Sequence, residues 1–493
     1  MLLTFRVILL CLIGLLAGCG RTGGSAPDLP IGTSGTQSVI TQPATLQKRA
    51  KKGQSPWQVF SLATGGYTPQ SVVGLAQASK SSLWFSDYNA NVIGQITTKG
   101  AVAILSGVAQ QGPFGLQSLA GSAYYVNSGY GYGIASGGSA VPYSLVCQAS
   151  CTIPYLSEEI SLDLAVTSDG SAWTSAYEIV DRYGDVLPVI LRAANGIVTG
   201  VFVAPGYVAS LALGPDGAVW FTDTTNTALG RIDSTGAITE ISLAAFFGGG
   251  NGYLATLTTG PDGNLWVATE SPTCGLPQDY GWHCILRVTP QGQITGFNTL
   301  FDASYNNELA GGRDGGIWSS ANGIFGPLQR TDTSGNLSFY FNPSATSGGG
   351  AVSVGPDNSI WAVNGSSVYG YPSKRIISAK PAQLISTKNG TTKIKVSEPT
   401  YSGDFSASVV YEEGTCALET VGPAKAFNIR YDSGSTCIYA FEDQDDIGEV
   451  YVDVLPQAAR RVQSHVRAVT SHPAASQPSP RNVFVTSAGA RTP

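Results

Sequence analysis

Short segments that alternate apolar and polar residues recur along the chain and end at turn signals. Three align closely: LALGPDGAVWFTD from Leu211, LTTGPDGNLWVATE from Leu257 and VSVGPDNSIWAVN from Val352. Weaker copies begin at Val72, Asp163 and Leu309. The tryptophan of the unit falls at Trp84, Trp173, Trp220, Trp266, Trp318 and Trp361, and Tyr125 takes its place in one further unit. This self-similarity predicts seven units of about 45 residues each.

Each unit has the pattern of a four-stranded antiparallel sheet. An alternating strand runs into Gly-Pro-Asp-Gly, where Pro fixes φ and Gly supplies a positive φ, and the next strand carries the tryptophan. Seven such sheets close radially as a β-propeller, which leaves few open edges. We therefore predict an all-β protein with a seven-bladed propeller over residues 56–375. Strand alternation around the tryptophans favours a core position for them over a ligand platform.

The first strand-like segment of the body belongs with the last unit. QVFSL at residues 58–62 resembles the fourth strand of the clearest unit, and the last unit lacks a fourth strand of its own after Tyr371. We predict that this N-terminal strand completes the last blade and closes the ring.

The segments outside the repeat have different compositions. Residues 19–55 are rich in Gly, Ser, Thr and Pro, as in a flexible tether. Residues 376–455 contain short alternating strands without the tryptophan, which predicts a small immunoglobulin-like β-sandwich. Residues 456–493 predict a disordered basic tail. The acidic cluster at 442–446 is either a calcium-binding turn or, as we favour, a solvated loop, because it lacks EF-hand spacing.

The first residues carry an export signal. Arg6 precedes an apolar run that ends in Leu16-Ala17-Gly18-Cys19, so residues 1–18 predict a signal peptide. The LAGC sequence resembles the bacterial lipobox, in which the cysteine is acylated and becomes the first residue. Lipid, palmitate included, on Cys19 would supply stable membrane attachment. Gly20 at the next position favours the outer membrane, with the body facing the periplasm or the surface; the competing interpretation is an ordinary signal peptide.

The cysteines agree with export. Cys11 lies in the signal and Cys19 in the lipobox, and six cysteines remain at short local spacings. An even number of closely spaced cysteines in an exported protein predicts disulfides rather than zinc ligands, since the chain has only 3 histidines. The predicted pairs are Cys147–Cys151, Cys274–Cys284 and Cys416–Cys437.

Composition and charge narrow the class of partner. Only 12% of residues are charged, and Gly (61) and Pro (27) are abundant, which disfavours a helical bundle. Residues 53–455 contain 16 Lys and Arg against 32 Asp and Glu, whereas the two flanks are basic, so the body is acidic. An acidic body argues against nucleic acid as a partner. We expect a monomer that reaches the membrane through Cys19.

The repeat resembles that of the streptogramin B (virginiamycin B) lyases. GPDGAVWFTD followed by LGRIDSTGAITEISL, from Gly214 to Leu243, is similar to the family form GPDGxLWFTE…IGRITPxGxITEF. The resemblance covers roughly residues 57–375 and implies the propeller fold. It also implies an elimination that opens a macrocyclic ester with the help of a metal ion and histidines. The positions that match one family histidine are Asn89, Thr225 and Pro272, so that histidine is missing here.

Two sets of residues border the predicted central funnel. The loops that enter the first strands carry an aromatic ring in six units: Tyr67, Phe114, Tyr155, Tyr207, Tyr253 and Tyr305. The second strands end in Asp87, Asn127, Ser175, Asp223, Glu270, Ser320 and Asn364. The aromatic rings either stack on a ligand or only fill the loops. We assign the ligand-binding funnel to Tyr67, Asp87, Phe114, Asn127, Tyr207, Asp223, Tyr253, Tyr305 and Asn364.

Three of these carboxylates suggest a metal site. Asp87, Asp223 and Glu270 could converge on Mg²⁺ or Ca²⁺, which prefer oxygen ligands. We favour the alternative, a solvated polar rim, because no spacing rule supports a cation site. No other cofactor is indicated. His283 lies in the Cys274–Cys284 insertion, which could bring it near Glu270 as a catalytic pair, whereas the plainer interpretation is a solvated loop histidine.

Two functions are therefore open. The first is a lipid-anchored envelope protein whose propeller binds a small molecule, glycan or protein at its funnel. The second is a metal-assisted lyase or lactone-opening enzyme related to the streptogramin B lyases.

Overall fold

The computed structural model describes residues 57–105, 112–127, 131–147, 163–179, 186–248, 252–270, 283–298, 309–320, 328–340, 350–372, 374–443, 448–456 and 470–471. Within these ranges every regular element is a β-strand, and the strands form eight sheets. No helix among the described residues has the length and apolar character needed to cross a bilayer.

Seven of the sheets each contain the four antiparallel strands of one propeller blade, and three of these seven sheets have additional strands. Blade 7 takes the N-terminal strand β1 (Gln58–Ser61). Blade 1 contains β2 (Val72–Gln77), β3 (Ser82–Asp87), β4 (Val92–Thr97) and β5 (Val102–Ile104). Blade 2 contains β6 (Pro113–Leu119), β7 (Ser122–Asn127), β8 (Gly131–Ser136) and β9 (Ser139–Ser144). Blade 3 contains β11 (Leu164–Val166), β12 (Ala172–Ile179), β13 (Val186–Ala194) and β14 (Ile197–Val203). A short strand, β10 (Val146–Cys147), pairs in parallel with β14 at the outer edge of this blade.

The remaining blades follow the same order. Blade 4 contains β15 (Val208–Leu213), β16 (Val219–Asp223), β17 (Ala228–Ile232) and β18 (Ile238–Ser242). Blade 5 contains β19 (Tyr253–Thr259), β20 (Leu265–Glu270), β21 (His283–Val288) and β22 (Ile294–Asn298). Blade 6 contains β23 (Ala310–Gly311), β24 (Ile317–Ser320), β25 (Leu328–Thr331) and β26 (Leu337–Tyr340). Blade 7 is completed by β27 (Val352–Val354), β28 (Ile360–Asn364) and β29 (Ser367–Tyr371). The prediction of seven blades is confirmed.

The ring closes as predicted. β1 pairs antiparallel with β29, with Gln58 opposite Gly370 and Ser61 opposite Ser367. The ring of Phe60 stacks on Trp361 with centroids 5.6 Å apart. The last blade is thus completed by a strand from the other end of the repeat, so separating the first and last blades requires breaking a strand pair.

The repeating tryptophans are core residues, as predicted. Their exposed fractions are 0–2%, and Tyr125 is equally buried. In three blades the aspartate of the turn before the tryptophan accepts a hydrogen bond from the indole Nε1: Asp216 at 3.0 Å, Asp262 at 3.0 Å and Asp314 at 2.9 Å. A Cβ on Gly214 would collide with the ring of Trp220. The Gly-Pro-Asp-Gly turn therefore positions the tryptophan as well as reversing the chain.

Residues 378–455 form two further four-stranded layers. The first sheet has the order β30–β32–β35–β34, from β30 (Ser378–Lys380), β32 (Gly390–Ser397), β34 (Cys416–Leu418) and β35 (Ala426–Tyr431). The second has the order β33–β36–β37–β31, from β31 (Gln383–Ile385), β33 (Phe405–Glu413), β36 (Thr436–Asp443) and β37 (Gly448–Leu455). The predicted Cys416–Cys437 disulfide is present and joins the two layers. The immunoglobulin-like description of this sandwich stays a prediction.

The sandwich is continuous with blade 6, which the sequence did not indicate. Strand β26 of blade 6 pairs antiparallel with β37, with Ser338 opposite Val450 and Tyr340 opposite Gly448. One hydrophobic cluster joins Trp318, Tyr340 and Tyr371 to the interior of the sandwich. The two parts therefore share a sheet and a core.

Beyond residue 456, the C-terminal segment is described at only two residues. There β38 (Thr470–Ser471) pairs with β18 at the outer edge of blade 4. The remainder of the predicted tail, the tether and the signal peptide lie outside the described residues.

Candidate functional site

The innermost strands of the seven blades surround a central cavity of about 350 Å³. Every blade contributes to its lining. Aliphatic side chains line it at Leu75, Leu116, Leu211, Leu257, Leu309 and Val352. Polar side chains line it at Gln77, Gln117, Ser118, Thr256, Thr258, Thr259 and Ser353. The cavity is a mixed surface, with apolar walls and several hydrogen-bonding groups, as is usual for small-molecule sites.

Asp163 brings a carboxylate to this cavity. Its Oδ2 accepts hydrogen bonds from the Ser210 hydroxyl at 2.5 Å and the Leu211 amide at 3.1 Å, and its Oδ1 accepts from the Leu164 amide at 2.8 Å. The Ser210 hydroxyl oxygen accepts in turn from the Leu257 amide at 3.1 Å. Burial raises the pKa of Asp163 to about 6, against the opposing effect of these donors. The network ties blades 3, 4 and 5 together beside the cavity.

Sequence reasoning missed Asp163, although the repeat contained the signal. Asp163 directly precedes Leu164, just as Gly74, Ser210 and Thr256 precede the matching leucines of other units. An acidic residue stands at this position in two units, as Asp163 and Glu308, whereas Gly, Ala, Ser or Thr stands there in the others.

Asp87 and Tyr67, both predicted at the funnel rim, are buried and bound to each other. The Tyr67 hydroxyl donates to Asp87 Oδ2 at 2.8 Å, and burial with this carboxylate raises the pKa of Tyr67 well above its usual range. Asp87 also accepts from the amides of Gln70 at 2.7 Å, Ser71 at 2.9 Å and Ala90 at 3.0 Å. Its exposed fraction is 0%. The Asp87 carboxylate organises two loops of blade 1.

Asp223 has a similar role in blade 4. It is also fully buried, and it accepts from the Asn226 amide at 2.9 Å and from Asn226 Nδ2 at 2.8 Å. Gly206 lies so close that a Cβ there would collide with the carboxylate. These contacts favour loop organisation over cation binding for Asp87 and Asp223. The described residues hold no group of three or more His, Cys, Asp or Glu arranged to bind a metal ion. The cation site with Glu270 stays a prediction, because the Glu270 side chain lies outside what is described.

Two of the predicted rim aromatics face solvent. Tyr207 is 40% exposed in the loop before β15, and Tyr253 is 50% exposed at the start of β19. Phe114 is half-buried and lies 6.1 Å from the ring of Tyr88. Tyr155 and Tyr305 lie outside the described residues. Among the rim aromatics that the structure describes, the most exposed rings are therefore on the neighbouring blades 4 and 5.

At the ends of the second strands, the polar residues whose side chains are described are buried. Asn127 and Asn364 have exposed fractions of 5% and 8%. The Ser175 hydroxyl donates to the Val208 carbonyl at 3.4 Å, and the Ser320 hydroxyl donates to the Gly350 carbonyl. These two serines connect neighbouring blades. Asn127, Asn364 and the two serines are therefore packed inside the protein and do not form a water-exposed polar rim.

Glu270 and His283 are brought together by the backbone of blade 5. They are directly opposite each other in the β20–β21 pair, at the end where Thr269 faces Cys284. Cys284 is in a disulfide, and Cys274, its predicted partner, lies outside the described residues. Cys151, the predicted partner of Cys147, also lies outside the described residues.

The acidic turn at 442–446 is described only at its first two residues. Asp443 is buried, and its Oδ2 accepts from the Gly448 amide at 3.1 Å. Calcium binding by this turn stays untested.

Structural comparison gives propeller proteins. A streptogramin B lyase structure is 17% identical, with 64% of this chain and 97% of that chain covered and a TM-score of 0.47. A catalytically inactive virginiamycin B lyase from Staphylococcus aureus with quinupristin is 19% identical, with 64% and 98% covered and a TM-score of 0.48. The extracellular domain of a hybrid two-component system from B. thetaiotaomicron is 14% identical, with 82% and 59% covered and a TM-score of 0.48.

No protein-family model and no curated protein matches the chain. At the identities and TM-scores above, the structural likeness carries no argument about activity. The sheets themselves define the class: this is a β-propeller protein with a β-sandwich fused to its sixth blade.

Proposed function

We propose that this chain is a lipid-anchored protein of the bacterial cell envelope whose propeller binds a small molecule, glycan or protein at its central funnel. The observation that carries the proposal is the central cavity of about 350 Å³, to which all seven blades contribute. Ligand sites commonly have volumes of about 300–1,000 Å³ and combine apolar walls with a few polar groups. Asp163 supplies a charge at the cavity, which the later residues of the inner strands line. Tyr207 and Tyr253 do not line it and supply exposed rings at the ends where these strands begin.

Ligand binding is tested by thermal melting with a panel of soluble oligosaccharides, aromatic small molecules and short peptides. A ligand at about 100 times its Kd stabilises the folded state by about 2.7 kcal/mol. We expect the stabilisation to be lost in Tyr207→Ala/Tyr253→Ala. It should persist in Val141→Ala/Val203→Ala, which removes exposed apolar groups from outer strands. A stabilising ligand that is indifferent to the rim variant and to Asp163→Asn would contradict binding at the funnel.

Lipid anchoring is tested separately by labelling with a palmitate analogue in a Gram-negative host. We expect Cys19→Ser to abolish the label and the membrane fraction, because the acylated thiol is lost. Cys11→Ser is the matched control within the signal peptide and should keep both. Equal labelling of the two variants would show that Cys19 is not the anchor.

The register of blade 5 favours one alternative, a metal-assisted lyase or lactone-opening enzyme. Glu270 and His283 are partners in the backbone register of β20 and β21, and a carboxylate and an imidazole are groups that general acid–base catalysis commonly uses. The test is conversion of a cyclic ester with Mg²⁺ or Ca²⁺ and with EDTA, followed by mass spectrometry, since elimination adds no water. Activity should vanish in Glu270→Gln and in His283→Ala but persist in Glu413→Gln. If the chain shows no EDTA-sensitive conversion, the enzyme alternative is wrong and only the binding function remains.

A further inference from the structure

The two sheets of the sandwich carry opposite charges. The strands β30, β32, β34 and β35 contain Lys380, Lys393, Lys395 and Arg430 and no acidic residue. The strands β31, β33, β36 and β37 contain Glu412, Glu413, Glu442, Asp443, Glu449 and Asp453 and no basic residue. We call these the basic sheet and the acidic sheet. The segregation is complete in the strands, so the sandwich has a pronounced charge asymmetry across its thickness.

Strand alternation turns the cations of the basic sheet outward. On β32, Ile394 and Val396 are buried in the sandwich core. The alternating residues Lys393 and Lys395 are exposed on the opposite face of the strand. On the neighbouring strand, Arg430 is exposed beside the buried Ile429. The outer surface of the basic sheet is therefore a face of cationic side chains.

The cations are adjacent across the strands. Lys380 is directly opposite Lys395 in the β30–β32 pair, and Thr391 is opposite Arg430 in the β32–β35 pair. Like charges directly opposite each other on a sheet are destabilising unless counter-charges approach them. Lys425 is exposed at the same end, where its carbonyl accepts from the Val396 amide at 3.0 Å.

Few acids oppose this face. Glu419 lies 3.8 Å from Arg430, with both side chains largely exposed, and Asp404 is exposed in the loop before β33. A pair of this length at the surface contributes little binding energy. The net charge of the face is therefore positive, in a chain whose overall net charge is −6.

An apolar residue projects at the end of the same sheet. Val421, in the loop between β34 and β35, is 96% exposed. That loop leads into Ala426, which is opposite Lys395, so Val421 belongs to the end of the sheet that carries Lys380, Lys395 and Lys425. Cations beside an exposed apolar tip are the combination by which peripheral proteins bind anionic bilayers.

We propose that the outer face of the basic sheet docks onto an anionic phospholipid surface, with Lys380, Lys393, Lys395, Lys425 and Arg430 near the headgroups and Val421 inserted among them. The acidic sheet and the acidic body of the propeller then face away from the membrane. The docking rests on the surface charge of the basic sheet and on the exposed Val421, and it stands whether or not Cys19 is acylated.

The test uses the chain without residues 1–19, which keeps every described residue and removes the predicted lipid site. Its partitioning is measured on vesicles of phosphatidylcholine alone and of phosphatidylcholine with one third phosphatidylglycerol. Each Lys near such a surface contributes about 1 kcal/mol, so Lys393→Gln/Lys395→Gln should weaken partitioning onto the anionic vesicles about 30-fold. The matched control is Lys80→Gln/Lys99→Gln, which removes the same charge from two exposed turns of blade 1 and should change partitioning little.

Further measurements separate the parts of the proposal. Added salt should abolish the difference between the two lysine variants, whereas Val421→Ser should weaken partitioning a few-fold at any salt concentration. The basic flanks remain in every variant, so the comparison isolates the basic sheet. Equal binding to neutral vesicles, or equal losses in the two lysine pairs, would overturn the proposal. So would self-association at low salt, or binding to heparin, if either depended on Lys393 and Lys395 while vesicle binding did not.

Discussion

The seam between blade 6 and the sandwich contains a carboxylate whose ionisation should control stability. Glu449 lies on β37, opposite Phe339 of blade 6 on one side and Glu442 on the other. Its Oε2 accepts from the Tyr451 hydroxyl at 2.7 Å. Burial raises the pKa of Glu449 from 4.5 to about 7, because the hydroxyl compensates only part of the lost hydration. The folded seam therefore favours the protonated acid.

The sign and size of the effect follow from this pKa. A raised carboxyl pKa means that the folded state binds more protons than the unfolded state between about pH 4.5 and 7. The free energy of unfolding contributed by Glu449 is thus largest below that window and falls as pH rises through it. The displacement corresponds to about 3 kcal/mol, reduced to about 2 kcal/mol because the residue is only half-buried and solvent screens it.

The assay is urea denaturation of wild type and Glu449→Gln across this pH range. Gln has nearly the same shape and can still accept from Tyr451, but it does not ionise. We expect the two proteins to be equally stable at about pH 4, and the variant to be more stable by about 2 kcal/mol at about pH 8. Glu413→Gln, at an exposed position of β33, should leave stability almost unchanged at either pH. A Glu449→Gln difference that is constant across the range would refute the reasoning, since it would reflect packing and not ionisation.

Three other perturbations have defined outcomes. Asp262→Ala leaves an indole N–H of blade 5 without its acceptor and should lower the free energy of unfolding by about 1–3 kcal/mol, measured in urea; an unchanged midpoint would show that the turn does not need this bond. Cys416→Ser with Cys437→Ser opens a loop of separation 21 and should destabilise the sandwich by about 3 kcal/mol. A reductant should destabilise the wild type by at least this amount, and a double variant as stable as the wild type would contradict a stabilising role for the disulfide. Phe60→Ala removes the stack that holds β1 on blade 7 and should expose the amides of β29 to hydrogen exchange before those of the other blades; uniform exchange in all blades would contradict a closing role for β1.

The sequence by itself determined the parts of this protein that depend on local pattern. Alternation, the Gly-Pro-Asp-Gly turns and the regular tryptophan spacing are properties of a few neighbouring residues, and they predicted the blades and their core. The match between 58–62 and the fourth strand of a unit predicted the closing strand for the same reason. The spacing of Cys416 and Cys437 was sufficient to pair them.

The tertiary structure decided what the carboxylates do. Asp87 and Asp223 end their strands in the same pattern as a polar rim residue, yet each is fully buried. The loop before the first strand of the blade supplies hydrogen-bond donors to Asp87. In blade 4 the corresponding loop packs Gly206 against Asp223. Asp163 reaches the central cavity because strands from three blades converge there. The fusion of β26 to β37 and the opposite charges of the two sandwich sheets join residues that are far apart in the chain. Such long-range contacts set burial, and burial sets both the charge state of a carboxylate and the groups that can reach it.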